Sequence, residues 1–396
     1  MTSSGANQLS RLSATVTDDD QLLSCIVTAR DELDRLAAEW NDLLHESEAD
    51  TVFLTWEWIS TWLDAVYPDA RLCVVVLRDC DGRLIAVATF YCSDLRVLRV
   101  LKYKCLRVLG DCQSGAEYGD VIIRRGYEAT AMTCIIRELL KHRDLWDCIY
   151  ISNMAGWTGA RERFGEACAQ LGLPMRERVR EFSAVRLPET YDAYLKLLSR
   201  NAREQIRRKT KRLQKSHEVE FICDLERDEI GGRLESLFSL HRRRWESVGQ
   251  AGSFVRRPPM RRFYEAFAPL ALSRRWLRLY WLDVDGITQA VQYGYVYGGT
   301  FLQLQEGYEP DGFEGIGNIL RSQVFEECIR EGLREYDFLG EFTEHKRRWG
   351  ASPRNGHDLL IGRRCARNLP LFWRDAWPGG RFLREGRPAS EGCSHD

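Results

Sequence analysis

Residues 300–341 read TFLQLQEGYEPDGFEGIGNILRSQVFEECIREGLREYDFLGE, and their punctuation decides what this chain can fold into. An apolar run, TFLQLQEGY, leads into GFEGIG, then into a stretch with helical spacing, then into the short YDFLG. That is the pattern of a strand, a glycine loop, a helix and a second strand. A helix start leaves about four backbone N–H groups unpaired and carries partial positive charge. Glycines just ahead of it let the backbone approach an anion closely. Gly312, Gly315 and Gly317 stand where such a cradle needs them. Their order, G-x-x-G-x-G, is not the G-x-G-x-x-G of dinucleotide folds, and a Walker-type Lys-Ser/Thr is missing. Nicotinamide and nucleoside-triphosphate readings are therefore disfavoured.

Working outward, the elements before this loop have a counterpart earlier in the chain. LCVVVLRDCDGRLIAVATFY (72–91) and LRLYWLDVDGITQAVQYGYVYG (277–298) are each an apolar run, an Asp-x-Asp-Gly turn and a second run containing Ala-Val. Asp-Gly supplies the positive φ values of a tight hairpin turn, so this is one hairpin written twice. Strands near 103–109 and 118–123, a helix near 127–142 and a strand at 147–152 are expected after the first. A strand near 300–306, a helix near 317–331 and a strand at 336–340 are expected after the second. Two copies of one α/β unit account for 396 residues, more than one core usually supports. Before its helix the first copy has RRGYEATAM, with one glycine, so only the second keeps the loop. The expected division is a disordered tail over 1–19, a first unit over 20–185, a second over 186–365 and a tail over 366–396.

A helix is expected from Ala29 to His45, and Trp58 and Trp62 share a helical face that reads as core. Residues 191–216 read as one strongly basic helix. Leu198, Ala202, Ile206 and Leu213 form its buried stripe, and Arg203, Arg207, Lys211 and Lys215 repeat on another face. Those cations are either a solvated face or an anion site. Net charge is −1, with 44% hydrophobic and 29% charged residues, which gives no overall bias toward nucleic acid or membrane. No DNA partner is expected, and electrostatic arguments must be local. Thirteen cysteines are scattered without a C-x-x-C pair or zinc-ligand spacing, so no metal is expected and a reducing cytoplasm is. No run reaches the roughly 18 apolar residues of a membrane span, and no secretory signal opens the chain. The C-terminal tail, rich in Pro and Gly with aromatics, reads either as disordered or as docking peripherally on a partner or membrane surface. Oligomeric state is left open.

The strand, loop, helix and strand of 300–341 resemble the acyl-CoA pyrophosphate-binding element of the GNAT N-acyltransferases, usually [Arg/Gln]-x-x-Gly-x-[Gly/Ala]. Gly312 stands where Arg or Gln is usual. The order Gly317, Gly332, Tyr336-Asp337-Phe338-Leu339, Lys346 and Trp349 resembles the CelD-like branch, named for cellulose biosynthesis and related to FemAB-type double-GNAT proteins. The similarity spans about 50–365, with His345 in place of a usual Tyr and Ile316 in place of a common Pro. It implies an α/β fold of tandem GNAT-like (acyl-CoA N-acyltransferase) domains, each a mixed, largely antiparallel sheet flanked by helices.

The resemblance further implies an acyl-CoA, such as acetyl-CoA, as cosubstrate. Gln305, Gly312, Gly315, Ile316, Gly317, Asn318 and Lys346 are its candidate binding residues. The acceptor is expected to be an amine or hydroxyl on a small molecule, saccharide or envelope precursor. Attack on the thioester forms an oxyanion that backbone N–H groups around Leu304, Gln305 and Glu306 can stabilise. Glu306 is the first candidate for general base and Asp337 the second, while His345 is a candidate proton donor to the leaving sulfur. Two other readings stay open. One is a FemAB-type transferase using aminoacyl-tRNA, in which RNA backbone lies on the basic helix. The other is a degenerate GNAT scaffold acting as a binding partner in polysaccharide production, supported by Gly312 and His345.

Overall fold

The computed structural model describes residues 15–16, 22–97, 101–111, 114–223, 226–372, 377 and 383–385. The first half holds β1 (Thr15–Val16), β2 (Leu23–Val27), α1 (Arg30–Asp34), α2 (Ala37–His45) and α3 (Trp56–Ala65). It continues with β3 (Arg71–Arg78), β4 (Leu84–Val97), β5 (Leu101–Val108), β6 (Ile122–Ile123), α4 (Glu128–Lys141), β7 (Cys148–Ala155), α5 (Ala160–Gln170) and β8 (Met175–Arg186). The second half holds α6 (Tyr191–Leu197), α7 (Arg200–Ser216), β9 (Val219–Ile222), α8 (Ile230–Glu246), α9 (Ser253–Arg256) and α10 (Pro258–Ser273). Then come β10 (Leu277–Val284), β11 (Ile287–Tyr297), β12 (Thr300–Tyr308), α11 (Ile316–Arg330), β13 (Glu335–Asp337), α12 (Glu344–Arg348) and β14 (Ser352–Gly362). A last short strand, β15 (Leu383–Glu385), pairs with β4.

The two hairpins form as expected, β3 with β4 and β10 with β11. At the second turn Asp285 and Gly286 both take positive φ, 51° and 77°, the pair of values a tight hairpin needs. Each half also contains one parallel pair, β5 with β7 and β12 with β13. The sheet runs β1-β2-β3-β4-β5-β7-β14-β8-β13-β12-β11-β10-β9, which is nearly symmetric about its centre. At that centre the halves exchange their last strands. β14 of the second half lies between β7 and β8 of the first, and β8 pairs with both β14 and β13. The expected boundary near 185 therefore separates two units in sequence whose strands interleave in space.

Aromatic packing seals the same junction. Trp58 is fully buried, and its ring lies 4.6 Å from Phe263, 4.9 Å from Phe267 and 5.8 Å from Tyr295, all from the second half. The tryptophan face is core, because large rings of this kind bury most favourably against one another.

Several local expectations change, among them the strands expected over 118–123 and 336–340, which form only at Ile122–Ile123 and Glu335–Asp337. The helix expected over 29–45 breaks into α1 and α2 around Arg35 and Leu36. The basic helix expected over 191–216 breaks after α6, because Ser199 is an N-cap whose Oγ accepts from Ala202 N at 3.2 Å. Leu198 is buried, as the stripe required, but in extended conformation. Of the tails, Thr15–Val16 pairs with β2, and residues Ala366–Phe372 form a 3-10 helix with Leu371 buried. In the same tail Leu383–Glu385 pairs with β4 and Trp377 is described; the other tail positions lie outside the described residues.

Candidate active site

Strands β12 and β13 pair only over Thr300 to Leu302 and Glu335 to Asp337, and then diverge. On its other side β12 slips register against β11: Gln303 faces Gly294 and Gln305 faces Tyr293, leaving Leu304 as an extra residue. Such a bulge takes backbone groups out of the ladder and bends the strand away. The result is a wedge-shaped opening between the two strands, with Leu304 on one arm and Asp337 to Gly340 on the other.

The glycine loop closes one end of this wedge. Gly315 is in the left-handed conformation, φ +76°, and is the N-cap of α11 without any capping side chain or acidic first-turn residue. Ile316, Ile319, Leu320, Val324 and Cys328 bury one face of α11. Gly332 (φ +74°) ends the helix with Leu333 N donating to Cys328 O at 3.0 Å. Helix α7 walls the loop with cations. Lys209 Nζ pairs with Glu314 at 3.1 Å, and the Cβ position of Gly315 lies 2.9 Å from Lys209 Cδ. Lys209 first, then Arg212 and Arg208, hold Glu314 below the usual carboxylate range.

The expected binding residues do not all face this cradle. Gly312, Gly315 and Asn318 are on its surface. Ile316 is 1% exposed and its backbone N–H donates to Phe313 O at 3.1 Å, so neither its side chain nor that N–H faces a ligand. Gly317 is a glycine because the ring of Tyr308 would lie 2.7 Å from a Cβ there. Gln305 faces the other side of the sheet, toward His241 of α8 and Tyr264 of α10. Lys346 Nζ is tied to the carbonyls of Leu339 and Glu341, the latter at 2.8 Å, and so pins the chain leaving β13.

Of the expected catalytic residues, Glu306 and His345 come together and Asp337 stands apart. Glu306 is ion-paired with buried Arg321 and with Arg244 Nη1 at 2.8 Å. Burial raises the pKa of Glu306, but Arg321 and Arg244 outweigh that and hold it down at about 2. A carboxylate so stabilised has little proton affinity, which counts against a general-base role. His345 Nε2 is 3.3 Å from Arg321 Nη1. Burial and then Arg321 lower its pKa, so the ring is neutral at neutral pH and accepts from Arg321. Asp337 is 1% exposed and accepts from Tyr118 Oη at 2.6 Å, Arg354 Nη2 at 2.6 Å and Leu339 N at 2.8 Å. Burial raises its pKa, and its three bonds fix it as the junction of the two halves.

Alternation along β12 puts Phe301 and Gln303 toward α11 but Thr300 and Leu302 on the opposite face. There a cleft of about 200 Å³ opens between the halves, lined by Tyr118, Trp157, Tyr297, Glu335, Asp337 and Arg354 among others. The Arg354 guanidinium lies 4.1 Å from the centre of the Trp157 ring. Sequence reading passed over Lys209, Arg212, Arg244, Arg321, Tyr118 and Arg354. Arg321 alone left a trace, a charge set among Ile319, Leu320 and Val324 on an apolar helix. Among the described residues no group of three or more His, Cys, Asp or Glu is placed to hold a metal.

Residues 200–347 match the family described as acetyltransferase (GNAT) domain. That stretch is similar to a GNAT domain. It contains the wedge, the loop and α7, and it leaves the first half and β14 outside the match. FemX overlays with a TM-score of 0.57 at 11% identity, covering 82% of this chain and 95% of its own. The C-terminal domain of a putative lysylphosphatidylglycerol synthetase from Agrobacterium fabrum overlays at 0.50 and 10% identity, covering 85% and 95%. A tandem GNAT protein from the clavulanic acid biosynthesis pathway stands at 0.43 and 14%, covering 86% and 98%. At these identities the likeness to the first two is one of fold. No curated protein matches the sequence. The fold is tandem GNAT-like, with the GNAT domain in the second half and a sister unit in the first. No helix among the described residues is long and apolar enough to cross a membrane.

Proposed function

We propose that the GNAT domain binds an acyl-CoA, typically acetyl-CoA for this family, with the pyrophosphate at the start of α11 and the thioester in the wedge. The acyl group passes to an amine or hydroxyl of a small-molecule or saccharide acceptor entering from the cleft on the other face. One observation carries this reading: an uncapped left-handed glycine helix start, faced by Lys209, Arg208 and Arg212, stands directly beside the bulged, diverging strand β12. The partial positive charge of a helix start and the neighbouring cations favour a polyanion there. The bulge takes Leu304 out of the β11 register, and a backbone N–H there would suit the oxyanion formed when a nucleophile adds to the thioester. The CelD-like order of residues 317–349 is what favours a saccharide acceptor.

Replacing both Lys209 and Arg212 by Ala should weaken acetyl-CoA binding about tenfold, corresponding to about 1.4 kcal/mol, in a calorimetric titration. Arg212 is exposed and Lys209 lies on the surface of α7, so the fold should be spared. Gly317 is a poorer target, since any side chain there meets Tyr308 first. A wild type that binds no acyl-CoA of any chain length sinks the reading.

A second reading, an aminoacyl-tRNA donor, is favoured by the exposed cations Arg207, Arg208, Lys211, Arg212 and Lys215 along α7. It requires RNA binding that falls steeply with salt. Absence of RNA binding at low salt removes it.

A further inference from the structure

Residues 114–121 lie on the connection from β5 to β6, and β5, like β12, is the strand with a parallel neighbour after the next helix. This loop crosses into the GNAT domain. The Cβ position of Gly115 is 3.4 Å from Tyr264 Oη and 3.7 Å from Leu304 Cδ2, at the bulge of β12. Tyr118 Oη bonds Asp337 at the end of β13. Between these anchors Glu117 Oε1 lies 3.9 Å from the Cβ position of Gly340, beside Lys346 Nζ. The loop therefore spans the mouth of the wedge from one arm to the other, with a carboxyl group at its middle. Glu117 Oε2 is buried and has no hydrogen-bond partner. A buried polar atom left unpaired is costly, and its retention calls for a use.

We propose that Glu117, delivered by the first half, takes the proton from the nucleophile that attacks the thioester in the GNAT domain. This role rests on the acyl-transfer reading. The acceptor nitrogen or oxygen forms a bond to the thioester carbon as its proton moves to the Glu117 carboxylate. The carbon–sulfur bond then breaks, and the proton passes from Glu117 to the departing thiolate, leaving acylated acceptor, free thiol and the carboxylate restored.

The charged groups around Glu117 fit this task. Burial raises its pKa most, Asp337 on β13 and Asp358 on β14 add to the rise, and Arg180 on β8 and Lys346 on α12 oppose it, for a value of about 8. A proton acceptor works best with a pKa near the working pH, which Glu306, at about 2, does not have.

The test compares wild type with Glu117→Gln, using acetyl-CoA with water and with a panel of primary amines and amino sugars, read as thiol release. The variant should keep acetyl-CoA affinity within about twofold and lose about 100-fold or more in kcat. The wild-type rate should climb with pH to a plateau above about 8, and the variant should lack that limb. Thermal unfolding supplies a readout independent of the acceptor. A carboxyl raised from 4.5 to about 8 on folding contributes stability that is full below 4.5 and lost as pH rises through 8. The stability of Glu117→Gln relative to wild type should thus increase between about pH 5 and 8. Wild-type kcat and pH limb in the variant, or a flat stability difference, would overturn the role. Binding of acetyl-CoA by a wild type that cleaves it with none of these nucleophiles would also overturn it, while leaving the cradle standing. No binding at all would remove both proposals.

Discussion

Replacing Arg321 by methionine should lower the unfolding free energy by about 3–5 kcal/mol, the usual consequence of removing one partner of a buried ion pair. Arg321 is 3% exposed and its guanidinium lies 5.2 Å from the centre of the Trp349 ring, where it pairs with Glu306 and meets His345. Methionine fills the space and keeps the apolar contacts, so the loss isolates the charge. Glu306 would retain Arg244, whose side chain is 26% exposed and so better screened by water. The pH dependence fixes the sign. In wild type the Glu306 pKa falls from 4.5 to about 2 on folding, so its stabilisation is present above 4.5 and lost as pH falls through 2. Without Arg321 burial is opposed chiefly by Arg244 alone, so that acid-side loss should shift upward. Denaturant unfolding at neutral pH and in acid measures both effects. Adding Glu306→Gln to the variant should recover part of the loss, because the orphaned charge is gone. A cost under about 1 kcal/mol would show that the pair is worth no more than a surface one.

That cluster also shows where sequence reading stops. Local patterns of period two and 3.6 were enough to locate β10 to β12, α11 and the hairpin pair, since each is dictated by residues a few places apart. Glycines at 312, 315 and 317 signalled a loop before a helix for the same reason. Their individual reasons were not legible, because Gly317 answers to Tyr308, and Gly315 to Lys209, across separate elements. Glu306 was visible as a carboxylate on the right strand, but its two arginines come from α8 and α11, and they decide its proton affinity. The break at Ser199 was available in principle, since Ser before an amphipathic run is an N-cap signal. The continuous basic run hid it. Glu117 carried no local signal at all, since its environment is assembled from β8, β13, β14 and α12.

The strand exchange leads to the other large expected effect: residues 22–186 and 187–372, produced separately, should each fail to unfold cooperatively. In the isolated first half β8 loses β13 and β14, which are both of its neighbours, and β7 loses β14. In the isolated second half β14 loses both neighbours, and β13 keeps only its three-residue pairing with β12. Exposed strand edges of this kind pair with other chains, so aggregation should accompany the loss. Trp58 would also be stripped of Phe263, Phe267 and Tyr295, exposing large apolar rings in each piece. Coexpression should restore a soluble complex, because every pairing needed is present between the two fragments. Circular dichroism during heating and size-exclusion chromatography read the result. A sharp thermal transition in either fragment alone would mean that the exchanged strands are accessory. The expected outcome instead makes the wedge of the GNAT domain dependent on the first half, since Asp337 is held by Tyr118 and the arm it ends is paired to β8.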